Sequence, residues 1–309
     1  MKFKKSLISL ELNELNFDWI VHYTDQGKLP NFNSFIKQHG LIKTSSEKDY
    51  ESLEPWIQWP SFYYSAKLKD HKIFHLGDRP KLSLKSIYNK LSLNKKNFLA
   101  ISPMNCDVPM SKGSVYFSDP WNYKVFGTNK FDGLFWKSIS NLVNTNSAGK
   151  GHLKSYFYLI VGFIRYFKVR NALKYLYYLL LSFNFKWAKA IFLEMLLFDF
   201  SLRKMRGGNF FYTSIFLNAG AHIQHHYLFD SACYMGKERN PHFYSGRFSN
   251  FFDPLYEIYS FYDSSISHLI KLGYLSSHQL LITTGLTQIP NKNPYFQYRL
   301  NDHKKFLDY

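Results

Sequence analysis

Cysteine is scarce in this sequence, because its 309 residues include only Cys106 and Cys233. The two cysteines are far apart and lack metal-type spacing, which argues against a disulfide scaffold or a zinc knuckle and suits a reducing compartment. Acidic residues are also few: 22 Asp and Glu face 39 Lys and Arg, for a formal net charge of +17. This balance favours an anionic partner, although a lysine-rich proteome would produce the same bias.

Long hydrophobic runs are absent as well. The longest uncharged run in the most apolar region lies between Lys174 and Lys186 and has 11 residues, whereas a spanning helix needs roughly 20. Near the start, Glu11 interrupts the apolar run that follows the basic residues, so we expect a β-strand there rather than a signal peptide. These features predict a cytoplasmic protein, with peripheral contact to the inner face of the membrane as an open alternative.

Short apolar segments that end in polar residues indicate the fold class. Residues 6–12, 97–103 and 279–290 each have this design, which is typical of a buried strand followed by a functional turn. Residues 16–40 have helical spacing with a break at Gly27 and Pro30. Strands that alternate with helices predict an α/β protein with a mostly parallel central sheet, whose site lies at the carboxyl ends of the strands.

Residues 152–206 differ in composition from the rest of the chain. They are apolar and aromatic, and they contain ten Lys and Arg against two acidic residues. We expect two or three amphipathic helices inserted into the α/β domain, which is formed by residues 1–151 and 207–309. The insert is either an ordinary helical cap or a basic, aromatic face that rests on an anionic membrane.

The segment "EPWIQWPS" introduces the first candidate site. We expect an aromatic-walled turn that presents Ser61 as a nucleophile, with Trp59 as part of the core or the pocket wall. His75 and Asp78 follow in "IFHLGD" and are interpreted either as substrate contacts or as partners in a structural turn. Further along, "SDPWNY" around Asp119 resembles a loop at the rim of a pocket.

A histidine cluster provides the second candidate site. Asn218, His222, His225 and His226 fall within nine residues, and the i,i+4 spacing of His222 and His226 places both on one face of a helix. Imidazoles in such a cluster can bind a metal ion, hold a phosphate oxygen or transfer a proton.

The order of these segments resembles the alkaline phosphatase superfamily, in particular its type I phosphodiesterase and nucleotide pyrophosphatase-like branch. "LISLELNELNFDWI" followed by "GKLPNF" is similar to the opening of that branch, with its best match at residues 29–32. The resemblance implies the superfamily fold and an enzyme that transfers phosphoryl or sulfuryl groups. In such enzymes a Ser or Thr attacks phosphorus, and two divalent metals activate the nucleophile and hold the non-bridging oxygens.

The resemblance also implies roles for individual residues. Ser61 falls in the nucleophile position, and the pair Asn218 and His222 falls where the family has Asp and His. Asn13 falls on the metal carboxylate of the first strand, with Glu11 and Glu14 beside it as substitutes. His226 is a further metal ligand in this scheme, and His222 doubles as a catalytic residue. His225 contacts the substrate together with Trp59, His75 and Asp78.

Three expected carboxylates are missing, at Asn13, Asn218 and Thr284. Neutral amides bind divalent cations more weakly than carboxylates do, so a zinc or manganese centre would have to be rebuilt from neighbouring residues, be weak, or be absent. The first hypothesis is therefore a hydrolase or transferase acting on an anionic phosphate ester. The second is an inactive member of the same fold that binds a glycan, a nucleotide or a protein.

A nucleic-acid binder is the third and least favoured hypothesis. The sequence lacks a block of consecutive basic residues and the compact nucleic-acid motifs. Its basic and aromatic residues concentrate in the apolar region 152–206 instead. The sequence leaves the oligomeric state open.

Overall fold

The computed structural model describes residues 6–49, 52–78, 84–145, 153–238, 252–271, 278–290 and 306–307. Within these residues, six strands form one sheet in the order β4-β3-β2-β5-β1-β6. The strands are β1 (Ser6–Leu12), β2 (Phe98–Ile101), β3 (Val115–Phe117), β4 (Val125–Phe126), β5 (Tyr212–Leu217) and β6 (His278–Thr283). Every pairing is parallel except that of β3 with β4. The chain is therefore an α/β protein with a mostly parallel sheet, as the sequence predicted.

Helices pack on both faces of this sheet. They are α1 (Phe17–Asp25), α2 (Pro30–His39), α3 (Pro55–Tyr64), α4 (Leu68–His71), α5 (Ile87–Leu93), α6 (Lys130–Thr145), α7 (Leu153–Tyr166), α8 (Ala172–Ser182), α9 (Lys186–Arg206), α10 (Ala219–Tyr227) and α11 (Pro254–Lys271). The short 3-10 helix Val169–Asn171 lies between α7 and α8, and a second one, Leu228–Asp230, directly follows α10.

Alternation along β1 explains why the described residues form a hydrophobic core on each face of the sheet. Ile8, Leu10 and Leu12 belong to a large core on one face of the sheet. Glu11 faces the other side, where the hydroxyl of Tyr63 reaches it from α3, and Tyr63 belongs to a smaller aromatic core. Because side chains alternate along a strand, one sequence supplies both faces.

The predicted break between the first two helices is confirmed. The backbone at Leu29 is left-handed, with φ of 52°, and Pro30 occupies the first turn of α2. Proline suits that position because the first amides of a helix have no partner within the helix. At the other end, α2 stops at Gly40, whose φ of 77° favours glycine.

The prediction of a turn around Ser61 is wrong, because this segment is helix α3. Pro55 at the first turn favours the start of the helix. Pro60 lies inside α3 and has no N–H to donate to the carbonyl of Trp56, four residues earlier. The side-chain amide of Asn105 donates to that carbonyl instead, at 3.0 Å. The sequence alone could not supply this distant partner.

Residues 152–206 contain helices α7, α8 and α9, which confirms the predicted helical content. These helices contribute Tyr166, Tyr175 and Trp187 to the same hydrophobic core that receives Leu10 of β1. The division of the chain into a domain and an insert stays a prediction. Among the helices that the structure describes, none is both long and apolar enough to cross a membrane.

Candidate functional site at the carboxyl edge of the sheet

The carboxyl ends of β1, β5 and β6 bring distant polar residues together. These strands are neighbours in the sheet and run parallel, so the residues that follow them meet at one edge. Asn13 and Glu14 follow β1, and Asn218 follows β5. Gln288 belongs to the segment after β6. We call this region the carboxyl-edge site.

Two predicted ligand residues, Asn13 and Asn218, contact each other directly. The amide nitrogen of Asn13 donates to the side-chain oxygen of Asn218 at 2.8 Å. The side-chain oxygen of Asn13 accepts from the indole N–H of Trp59 at 2.7 Å. Both amide oxygens therefore already have a hydrogen-bond donor.

Glu14 is the most constrained residue of the site. Its φ of 57° is unusual for a residue with a side chain. Its backbone N–H donates to the carbonyl of Thr284 at 2.8 Å, and its carbonyl accepts from the side chain of Gln224 at 2.8 Å. Its carboxylate also accepts from Gln288. Strained backbone of this kind clusters at functional sites, where surrounding contacts maintain it.

The Glu14 carboxylate also holds an imidazole. Nε2 of His225 lies 3.3 Å from Oε2 of Glu14, and the His225 side chain is 60% exposed while that of Glu14 is buried. The hydrogen bond to Glu14 raises the pKa of His225. Glu54, at the N-terminus of α3, is close enough that burial and then the charge of Glu14 raise its pKa. The exposed imidazole of His225 is thus paired with Glu14, and the charges of Glu14 and Glu54 also raise its pKa.

The other two histidines of α10 have the opposite tendency. The rings of His222 and His226 lie 4.7 Å apart, edge to face, which confirms that they share one face of a helix. Burial lowers the pKa of His222, with a further contribution from His225. Burial, followed by the charges of neighbouring histidines and Lys186, lowers the pKa of His226 to about 4. Near neutral pH the ring of His226 is therefore neutral, and the pKa of His222 is shifted in the same direction.

Glu11 lies behind the site rather than in it. Its side chain is fully buried, and it accepts hydrogen bonds from Tyr63 at 2.5 Å and from Tyr212 at 3.5 Å. Burial raises the pKa of Glu11 to about 7. A carboxyl group enclosed by two phenols has no route to a ligand at the carboxyl edge.

Ser61 is paired with His71, a residue that the sequence did not single out. Ser61 Oγ lies 2.9 Å from Nε2 of His71, which is buried on α4. The backbone N–H of Ile73 donates to Nδ1 of the same ring at 3.1 Å, so Nδ1 carries no proton and Nε2 carries one. His71 therefore donates to Ser61 and cannot accept its proton. The nucleophilic role of Ser61 stays a prediction that this hydrogen bonding does not support.

Trp59 forms one wall of the site. Its ring packs edge to face on Phe216 of β5 at 5.1 Å and donates to Asn13. Gly285, after β6, has a φ of 73°, and a Cβ built there would lie 2.8 Å from the indole. This close approach requires glycine and locks the segment after β6 against α3.

His75 and Asp78 lie in a loop beside the carboxyl ends of β2 and β3. The carboxylate of Asp78 accepts from the backbone N–H groups of Phe74 and His75. Asn105 donates to the carbonyl of His75 at 3.0 Å, and its own backbone N–H donates to Asp119 at 3.3 Å. These contacts make the Asp78 carboxylate a turn-forming group, which was one of the two interpretations of the sequence.

The residues present do not fit a tightly held zinc or manganese ion. The amide oxygens of Asn13 and Asn218 are occupied by N–H donors, and Glu11 is enclosed by phenols. Within the described ranges, no three His, Cys, Asp or Glu side chains form a group that could hold a metal ion.

The sequence predicted several residues of the site but not which residues contact each other. Glu14 and His225 were both candidates, but nothing in the sequence showed that they pair across 211 positions (225 − 14). Glu54 was not considered, although an acidic residue directly before the Pro55 helix start is a usable signal. Gln288 and His71 had no signal, because their roles depend entirely on tertiary contacts.

Together the fold and this edge define an α/β protein with a histidine- and amide-rich site at the carboxyl ends of its central strands. Comparison with known proteins adds no family to that description: no family model, no curated protein and no solved structure matches this chain.

Proposed function

We propose that this chain is a metal-independent hydrolase or transferase of phosphate esters, in an alkaline phosphatase-like fold, that works through the histidines of α10. One observation carries the proposal. His225, which lies 3.3 Å from Glu14 at the carboxyl end of β1, is on the same helix, α10, as the His222–His226 pair. The excess of basic residues, +17 overall, favours an anionic substrate.

The Glu14–His225 pair supplies an acid, and the His222–His226 pair supplies a base, at the same pH. His225 keeps its proton to higher pH because Glu14 stabilises the imidazolium, whereas His226 and His222 stay neutral. Titratable groups whose surroundings separate their pKa values are the usual assignment for catalytic acid and base.

The reaction requires one proton to be removed from the attacking hydroxyl and one proton to be donated to the leaving oxygen. A neutral imidazole, His226 or His222, accepts the proton of a water or substrate hydroxyl as its oxygen forms a bond to phosphorus. His225, held through Nε2 by Glu14, donates the proton on Nδ1 to the leaving oxygen as the other P–O bond breaks. In this scheme Ser61 and a metal ion have no part.

The experiment is turnover of a bis-aryl phosphodiester by the full chain. We expect His225→Gln to lower kcat/KM by about 100-fold, the size of one general acid contribution. His39→Gln is the matched control, because His39 is an exposed histidine at the end of α2. Ser61→Ala and excess EDTA should leave the rate unchanged. Loss of activity in Ser61→Ala, or on metal removal, would instead favour the serine and metal mechanism of the family it resembles.

The pH profile provides a second readout. Activity should fall at acid pH, as His226 gains a proton near its pKa of about 4. It should fall again at alkaline pH, above the ordinary histidine value of 6.5, as His225 loses its proton. In His225→Gln the alkaline limb should disappear while the acid limb remains. An alkaline limb that survives this substitution contradicts the assignment of the acid.

A non-catalytic binding role is the second candidate, and the Asn13–Asn218 contact favours it. Amides that satisfy each other at 2.8 Å make a rigid polar floor without a reactive group. This role predicts no turnover by the unmodified chain across phosphodiesters and phosphomonoesters. It also predicts saturable calorimetric binding of a nucleotide or an oligosaccharide, weakened by Asn218→Ala.

A further inference from the structure

Helix α7 carries two apolar faces, and only one of them is buried. Gly162 and Tyr166 face the core. On the opposite side, an apolar row of Leu153, Phe157, Ile160 and Ile164 is exposed to solvent. The spacing of this row is i, i+4, i+7 and i+11, which keeps all four on one side of a helix.

Helix α8 repeats this arrangement. Its inner side buries Tyr175 and Tyr178. Its outer side exposes Leu173, Leu176 and Leu180, and Phe183 follows directly after the helix. We call these four residues and the four of α7 the outer stripe. Every member is more than half exposed, from 52% for Leu176 to 86% for Leu153.

Both helices use their inner sides to pack on α9. Phe163 of α7 stacks on Phe192 of α9 at 5.4 Å, and Tyr175 of α8 contacts the same ring at 5.3 Å. The outer stripe therefore faces away from the body of the protein. Apolar surface of this extent on a folded protein marks an interaction site more often than chance exposure.

The charged residues of α7 and α8 themselves are all of one sign. Residues 153–189 contain seven Lys and Arg and no Asp or Glu. Lys154, Arg165, Arg170 and Lys174 are exposed. The field of this cluster reaches His268 of α11: burial, and then the charges of Arg170, Lys168, Lys174 and Lys271, lower its pKa to about 4. Asp199 of α9 pairs with Lys168 at 3.6 Å and offsets part of this charge, but α7, α8 and the segment between them contribute only basic residues.

We propose that the outer stripe docks on the surface of an anionic lipid bilayer, with α7 and α8 lying in the interface. Amphipathic helices with Leu, Ile and Phe on one side and Lys and Arg beside them bind membranes in this way. A second copy of this chain fits the surface less well, because each copy would bring its own basic cluster to the contact. This inference goes beyond the proposed function and does not depend on it.

The experiment is co-sedimentation of the full chain with vesicles of phosphatidylcholine, with and without about 30% phosphatidylglycerol. We expect binding to the anionic vesicles and little binding to the neutral ones. The double variant Ile160→Glu and Leu180→Glu should abolish binding. Leu93→Glu is the matched control, because Leu93 is also exposed on a helix, α5, but outside the outer stripe.

The basic side chains provide an independent variant that leaves the apolar stripe intact. Arg165→Gln and Arg170→Gln should each weaken binding to anionic vesicles by about fivefold. Circular dichroism serves as the control that each variant is folded. The proposal is overturned if the unmodified chain does not bind anionic vesicles, or if the double glutamate variant still binds them. It is also overturned if light scattering shows that the unmodified chain is a dimer and that the double glutamate variant is a monomer. That result would assign the outer stripe to contact with a second copy of the chain.

Discussion

Two buried carboxyl groups set the acid–base behaviour of the interior. Glu11 lies between Tyr63 and Tyr212 on one face of the sheet. Glu194 of α9 accepts from the backbone N–H of Ala219, at the N-terminus of α10, at 2.9 Å. Burial raises the pKa of each carboxyl group to about 7. Each is therefore protonated in the folded protein over a pH range in which the unfolded chain has already lost that proton.

The contribution of these two carboxyl groups to stability should consequently fall as the pH rises. A raised carboxyl pKa gives a contribution that is complete below the unfolded value of 4.5 and lost as the pH passes about 7. For Glu11 alone this loss is about 3 kcal/mol. The free energy of unfolding, measured by urea titration, should differ between about pH 5 and about pH 8. We expect Glu11→Gln to remove the Glu11 contribution from that difference. Glu194→Gln is the matched variant for the other group. A Glu11→Gln protein with the unmodified pH dependence would contradict the assignment.

At the scale of elements, the packing of α6 on α7 depends on one glycine. A Cβ added to Gly162 would lie 2.2 Å from the ring of Phe135, which is fully buried. Gly133 on α6 offers the opposite case, since its nearest neighbour would be 3.7 Å away. Both glycines lie within helices, and they differ in the room that is available for a Cβ atom.

Alanine at these positions should therefore change stability in opposite directions. Gly162→Ala should lower the free energy of unfolding by about 1–3 kcal/mol, because overpacking exceeds the gain in helix propensity. Gly133→Ala should raise it by up to about 1 kcal/mol. Urea titration of both variants measures the contrast. Equal effects of the two substitutions would show that Phe135 can move aside.

Several elements could be predicted from local pattern, and one wrong prediction shows where pattern fails. Residues 6–12 read as a strand because an apolar run ends in polar residues, and the break near Pro30 follows from proline chemistry. Helix α3 was missed because Pro60 normally ends a helix, and only the distant Asn105 makes it tolerable. The candidate site behaved similarly. Its positions followed from strand ends, but the proton on His71 depends on the backbone of Ile73.

At the scale of the whole molecule, charge is the dominant feature. The chain carries +17, and the ion pair between the half-exposed side chains of Lys124 and Asp107 is a weak one at 3.7 Å. Uncompensated charge of one sign destabilises a compact state by self-repulsion. Added salt screens that repulsion, since the Debye length falls from about 30 Å to about 10 Å between about 10 mM and 100 mM.

The thermal midpoint should therefore rise with ionic strength. We expect an increase of about 2–4 °C over that range, corresponding to about 1 kcal/mol for a chain of this size. Scanning calorimetry in NaCl and in KCl should give the same increase, because screening does not depend on the cation. A midpoint that stays constant or falls would show that attractive ion pairs outweigh the repulsion.

The location of β1 between β5 and β6 in the sheet has a consequence for how the protein is made. Its pairing with β5 joins Leu7 to Tyr212 across 205 positions (212 − 7), and its pairing with β6 joins Ser6 to His278 across 272 positions (278 − 6). Pairings over such distances form slowly because a long loop must close first. During synthesis β1 leaves the ribosome long before either neighbour exists. An apolar strand with both edges open is prone to aggregate, so we expect the yield of folded protein in a cell to rise when β1 is shielded until translation reaches β5.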